Sequence, residues 1–156
     1  MGYVLYDFLS SGNGYKCRLT MKALGIPYEY RHRDIIAGET RTPEFLAINA
    51  NGKIPVLVVP GEGPIAESHA IINYLAEGTK LMPGDRYRRA LVWQWLCFEQ
   101  YQLEPGVATV RFMLHYLNKS KKSSACGTRT ASSAARTPSQ SSSKASQAAA
   151  GWSATT

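Results

Sequence analysis

The stretch from Lys53 to Ala76 leaves the chain few folds to choose from. Proline has no backbone N–H and cannot sit inside a ladder, so Lys53-Ile54-Pro55 marks the mouth of a strand rather than its middle. Val56-Leu57-Val58-Val59 is a short continuous apolar run of the kind buried strands show, Pro60-Gly61-Glu62-Gly63-Pro64 is a turn, and Ile65-Ala66 is a short returning strand. Glu67 to Ala76 then reads as a helix. This order leaves one strand edge open beside one helix start. An Ile-Pro bond is cis in only about 5–6% of folded cases. A cis bond at Ile54-Pro55 would turn the Ile54 N–H and C=O outward, where an extended peptide could pair with them.

Upstream, Tyr3 to Phe8 alternates aromatic and β-branched residues as a strand does, and Leu9-Ser10-Ser11-Gly12-Asn13-Gly14 breaks it with turn residues. The helix that follows takes its apolar face from Leu19, Ala23 and Leu24 with Cys17 and Met21, and Gly25-Ile26-Pro27 stops it. Tyr28 to Arg33 is strand-like, and Thr42-Pro43-Glu44-Phe45-Leu46 opens a short helix with proline in its first turn. The order βαβαββα with crossover connections implies an α/β fold, a mixed sheet with helices on both faces. Residues 79–84 read as a linker, after which Asp85 can cap a helix reaching about Tyr101, apolar on most faces. Glu104-Pro105-Gly106 leads into a further segment from Val107 to Leu117. The expected domains are 1–78, a partial helical domain over 85–120, and a tail over 121–156.

Charge follows the same division. The formal net charge of +7 comes mostly from the tail, because all 11 acidic residues lie at or before Glu104. The body has no basic stripe or base-stacking ribbon, so nucleic acid is not an expected partner. From Ser123 onward Ser, Ala and Thr dominate and Leu, Ile, Val and Phe are absent, the composition of a disordered segment. Cys17, Cys97 and Cys126 have neither metal-ligand nor disulfide-framework spacing, so no metal is expected and the thiols read as reduced. No apolar run approaches the ~18 residues of a membrane span. These readings give an expected cytoplasmic location with no membrane partner.

SSGNGYKCRL, GIPYEY, GETRTPEF, NANGKIPVL, ESHAIINYLAEGT and WLCFEQYQLEPGVATVRF, in this order and spacing, resemble the cytosolic glutathione S-transferases, especially bacterial theta- or zeta-like members. The resemblance implies a thioredoxin-like N-terminal domain that binds glutathione, an all-helical C-terminal domain that shapes an electrophile site, and a homodimer. Glutathione enters as co-substrate, and no other cofactor is implied. Ser11 falls where the family's thiolate partner stands, just before a helix whose dipole favours negative charge, with Ser10 as the alternate. The alternative is that Ser11 or Asn13 acts only as a helix cap. Glu67 and Ser68 suit the ammonium and carboxylate of the γ-glutamyl end, Ile54 and Pro55 the cysteinyl backbone, and Lys53 the glycyl carboxylate or merely solvent. Asn13 completes the glutathione-binding set.

Where the family's later helices would follow, none is identifiable after Leu117, so the C-terminal domain is expected to be truncated or frame-shifted. One possible coding of Ala150 to Thr156 gives Trp-Leu-Val-Gly-Asp-Tyr in another frame, similar to a family segment. Exposed aromatics on the helix from Asp85 would then leave that region sticky and partly molten. The expected activity is glutathione conjugation to a small electrophile, impaired to the extent that the truncation removes the electrophile pocket. The alternatives are a non-catalytic glutathione-binding or thioredoxin-like interaction module and a glutathione-dependent isomerase. Gly14 stands where some similar members carry cysteine, so neither cysteine-type thiol transfer nor dithiol exchange is expected, and His32, His69 and His115 converge on nothing.

Overall fold

A computed structural model describes residues 2–117. The tail over 121–156, with Cys126 and the proposed frame change, and the last residues of the 85–120 segment lie outside them. Four strands form a mixed sheet in the order β2-β1-β3-β4. Strand β1 (Tyr3–Asp7) runs parallel to β2 (Tyr28–His32) and antiparallel to β3 (Val56–Val59), which pairs antiparallel with β4 (Gly63–Ala66). Helix α1 (Gly12–Leu24) makes the crossover between β1 and β2, α2 (Pro43–Ile48) follows a single 3-10 turn at Glu39–Arg41, and α3 (Ser68–Ala76) follows β4 directly.

Strand alternation sends neighbouring side chains to opposite faces and so builds two cores. On one face Leu5, Leu57 and Val59 pack with Cys17 and Met21 of α1 and Ile71 and Leu75 of α3. On the other, Tyr6 and Val56 pack with Phe45 of α2, the Tyr6 and Phe45 rings meeting edge to face at 6.0 Å. The caps follow the sequence closely. Thr42 accepts the Phe45 N–H at 3.3 Å with Pro43 next in line, and Gly25 closes α1 at φ 67°, a left-handed position that favours glycine.

One face was misread. The buried stripe of α1 is Gly14, Cys17 and Met21, whereas Leu19, expected to face the core, is exposed. Leu19 stands two residues, about 200° around the helix, from both Cys17 and Met21, so it falls on the opposite, solvent-facing side.

Residues up to Phe98 form one compact unit and those from Glu99 a second. Within the first, α4 (Arg86–Phe98) is capped by Asp85, which accepts the Arg88 N–H at 2.8 Å. Both Glu77 carboxylate oxygens hold the Arg89 guanidinium, at 2.7 and 3.1 Å. No α4 side chain is buried, and Tyr87, Trp93, Trp95 and Phe98 are exposed. Within the second unit, a π-type coil spans Glu99–Ala108 with Pro105 inside it, and α5 spans Thr109–His115. The helix expected to reach about Tyr101 therefore ends at Phe98, and Glu104-Pro105-Gly106 is wound rather than open. A proline with no N–H to donate is more easily carried by wide π turns than by an α-helix interior. Among the described residues no helix is long and apolar enough to cross a membrane.

Candidate functional site

Three pieces of backbone converge at the α1 and α3 ends of the sheet. The first is the turn after β1. There the Ser11 N–H donates to the Phe8 carbonyl at 2.7 Å and Ser11 takes extended angles as N-cap of α1. The half-buried Ser11 hydroxyl oxygen accepts the Gly14 N–H at 3.2 Å. Accepting that bond leaves its own proton free to donate outward, so capping and donation are compatible in one hydroxyl. Ser10, the alternate, lies one residue earlier and is exposed.

The second piece is the start of α3. Glu67 adopts φ 69° and ψ 120°, the one positive φ outside glycine among the described residues. Such a backbone costs on the order of 1–3 kcal/mol and persists only where neighbours enforce it. It leaves the Glu67 carboxylate exposed with no cap bond to its own helix. Ser68, 4% exposed, donates through Oγ to Asn13 Oδ1 at 3.5 Å. That contact joins the two helix starts, and with them the Ser11 turn and the Glu67-Ser68 pair.

The third piece is the entry to β3. The Ile54-Pro55 bond is cis. Pro55 is buried, Ile54 half-buried against the Phe45 core, and Lys53 exposed, with its carbonyl taking a bond from Asn49 Nδ2 at 2.8 Å. The structure thus joins Asn13 and Ser68 by a direct bond, places Ser11 at the cap of the same first turn of α1 and Glu67 next to Ser68, and sets Lys53, Ile54 and Pro55 at the strand mouth.

Cys17 lies beneath this junction, fully buried, its Sγ 3.7 Å from the Asn13 carbonyl and 3.9 Å from that of Ser68. Burial pushes its thiol up to about 12, only partly opposed by Lys16. Because the folded thiol holds its proton to higher pH than the unfolded one, its contribution to stability is present below about pH 9 and is lost as pH rises towards 12. Cys17→Val should therefore flatten the alkaline fall of stability in that window, and native protein should be alkylated at Cys97 but not at Cys17, as peptide mapping would read.

Sequence reasoning missed Asp7. Its side chain is fully buried at the end of β1, ion-paired with Arg18, and its Oδ1 has no hydrogen-bond partner. A Cβ added at Gly14 would fall on that carboxylate. The one signal available was an acid among strand residues, between Tyr6 and Phe8, with a glycine and an arginine at helical spacing soon after.

The model of the glutathione S-transferase N-terminal domain matches residues 1–77. A glutathione S-transferase structure from Pseudomonas fluorescens superposes with a TM-score of 0.80 at 39% identity, covering 86% of this chain and 68% of that one. The chain belongs to the glutathione S-transferase family. Other glutathione S-transferase relatives include glutathione S-transferase 1 of Dianthus caryophyllus, 35% identical over 76% of this chain and 55% of its own length. A maleylacetoacetate isomerase of Rhizobium meliloti is 43% identical over 56% of this chain and 44% of its own length. The chain thus spans about half the length of the curated transferase relatives it matches. The fold is accordingly the thioredoxin-like domain of this family followed by part of a helical region.

Proposed function

We propose that the chain binds glutathione at this junction and stabilises its thiolate for attack on a small electrophile. The observation that supports the reading is the Ser68–Asn13 bond, which ties the start of α3, with Glu67 before it, to the first turn of α1 that Ser11 caps. Glu67 meets the γ-glutamyl ammonium, and Ser68 with the first amides of α3 meets its carboxylate. Ile54 pairs with the cysteinyl backbone as an added strand would, and Lys53 reaches the glycyl carboxylate. The sulfur then lies against the Ser11 O–H at the positive end of α1. Sulfur forms the new bond to the electrophile's carbon while the displaced group leaves with its electron pair. Residues 1–78 form the glutathione-binding domain, 79–84 the linker, 85–120 part of the helical domain and 121–156 a tail. The protein acts in the cytoplasm as a homodimer.

A second reading, a glutathione-dependent isomerase, is favoured by the 43% identity to the Rhizobium meliloti isomerase. There the same thiolate adds and departs again without net conjugation.

Calorimetric titration with glutathione, paired with turnover of an aryl-halide electrophile, tests the main reading. Binding with turnover supports it. Binding without turnover points to the isomerase or to a non-catalytic glutathione-binding module, and absence of binding overturns all three of these and leaves only a thioredoxin-like interaction module. Ser68→Ala should weaken binding about tenfold, the worth of one charge-assisted hydrogen bond, with little change in the bound thiol's acidity.

A further inference from the structure

We infer that Arg18 is a positioning residue for the thiolate site: it cancels the charge of a carboxylate buried under the first turn of α1 and fixes the turn that presents Ser11. This rests on the transferase reading above. Arg18 reaches two groups at once. Nη1 pairs with Asp7 Oδ2, and Nη2 donates to the Leu9 carbonyl at 2.7 Å, inside the turn that ends at the Ser11 cap. The Arg18 side chain is only 15% exposed and that of Asp7 is fully buried, so solvent screens this pair little.

Position gives the pair its consequence. Asp7 lies where a side chain on Gly14 would lie, and the Gly14 N–H is the group that caps onto Ser11 Oγ. A bare carboxylate there would be a negative charge close beneath a forming thiolate, opposing both the helix dipole and the Ser11 donor. One guanidinium removes that opposition. The neighbouring groups do not substitute for it. Tyr30 of β2 donates to the Asp7 backbone carbonyl at 3.4 Å rather than to the carboxylate. Tyr15 lies under the guanidinium, 5.8 Å from ring centroid to Cζ. Lys16 stands 3.3 Å from His69 across the α1–α3 seam, and Glu67 adds negative charge at the start of α3.

The test titrates the thiolate absorbance of glutathione bound to wild type, Arg18→Met, Asp7→Asn and the double variant. Arg18→Met should raise the bound thiol's pKa by about one unit, Asp7→Asn should lower it, and the double variant should return near wild type. A purely structural role would move both single variants the same way, and that result overturns the inference. Should Arg18→Met not fold, Arg18→Lys keeps the charge but cannot span both partners. It should hold the thiol pKa near wild type while amide exchange at Ser11 speeds up severalfold, and unchanged exchange would refute the positioning role. If bound glutathione shows no depressed thiol pKa in wild type, the transferase reading itself fails and takes this inference with it.

Discussion

Gly14→Ala should bring the unit ending at Phe98 to the edge of unfolding. Propensity alone predicts the opposite sign, since glycine to alanine in a helix gains up to about 1 kcal/mol. The added methyl, however, falls on the Asp7 carboxylate, which is fully buried and tied to Arg18. Either the carboxylate swings away and breaks a buried ion pair, at about 3–5 kcal/mol, or the first turn of α1 lifts and drops the Ser11 cap, at about 1 kcal/mol. The ion-pair loss exceeds the propensity gain and approaches the lower end of the roughly 5–15 kcal/mol a whole domain has in reserve, whereas the cap loss only cancels that gain. Urea unfolding would read the loss. Asp7→Ala/Gly14→Ala should recover at least about 2 kcal/mol relative to additivity, because removing the carboxylate vacates the space the methyl needs. A Gly14→Ala midpoint within about 1 kcal/mol of wild type, or a double variant that is merely additive, would show that the two positions do not compete for one volume.

That contact explains which parts of the fold were legible. Strands β1 to β3, the Thr42-Pro43 cap and the Gly25 stop could be read because each is written locally, in alternation, a capping hydroxyl or a glycine beside a proline. The start of α1 is blurred for a physical reason. Gly12 and Gly14 look like turn residues, yet both lie inside the helix, and Gly14 is glycine because Asp7 needs its space. Strand β4 begins at Gly63 rather than Ile65, since Gly63 and Pro64 pair with Val59 and Val58 across the turn. Of the candidate site, Ser11, Glu67, Ser68 and the Ile54-Pro55 step stand at helix starts and a strand mouth, where type and position are visible together. Asp7 and Arg18 were not visible as a pair, because a buried ion pair between a strand and a helix has no local periodicity to announce it.

Ser11→Ala should raise the pKa of bound glutathione's thiol by about 1–2 units and lower turnover at neutral pH by roughly 10–10²-fold, the fall in thiolate fraction that such a shift produces. Sign and size both follow from the hydroxyl's bonding. Its oxygen is already engaged by the Gly14 N–H at 3.2 Å, so its proton is the part left for the sulfur. Alanine removes the donor and leaves only the helix dipole to favour the charged form. The pH–rate profile should shift towards alkali with the plateau largely regained above the new pKa, which a misfolded variant would not do. The cap is a confounding effect, because Ser11 also closes α1. Ser11→Asp separates the two: aspartate caps a helix as well as serine does, so stability should hold, but it cannot donate and adds negative charge, so the thiol pKa should rise further than in Ser11→Ala. Ser11→Asn, which both caps and donates, should sit nearest to wild type. If Ser11→Ala leaves the profile in place while Ser10→Ala moves it, the donor is the neighbouring hydroxyl and the geometry of the turn has to be reassigned by one residue. If neither moves it, thiolate stabilisation rests on the α1 dipole alone, and the two serines do no more than shape the turn.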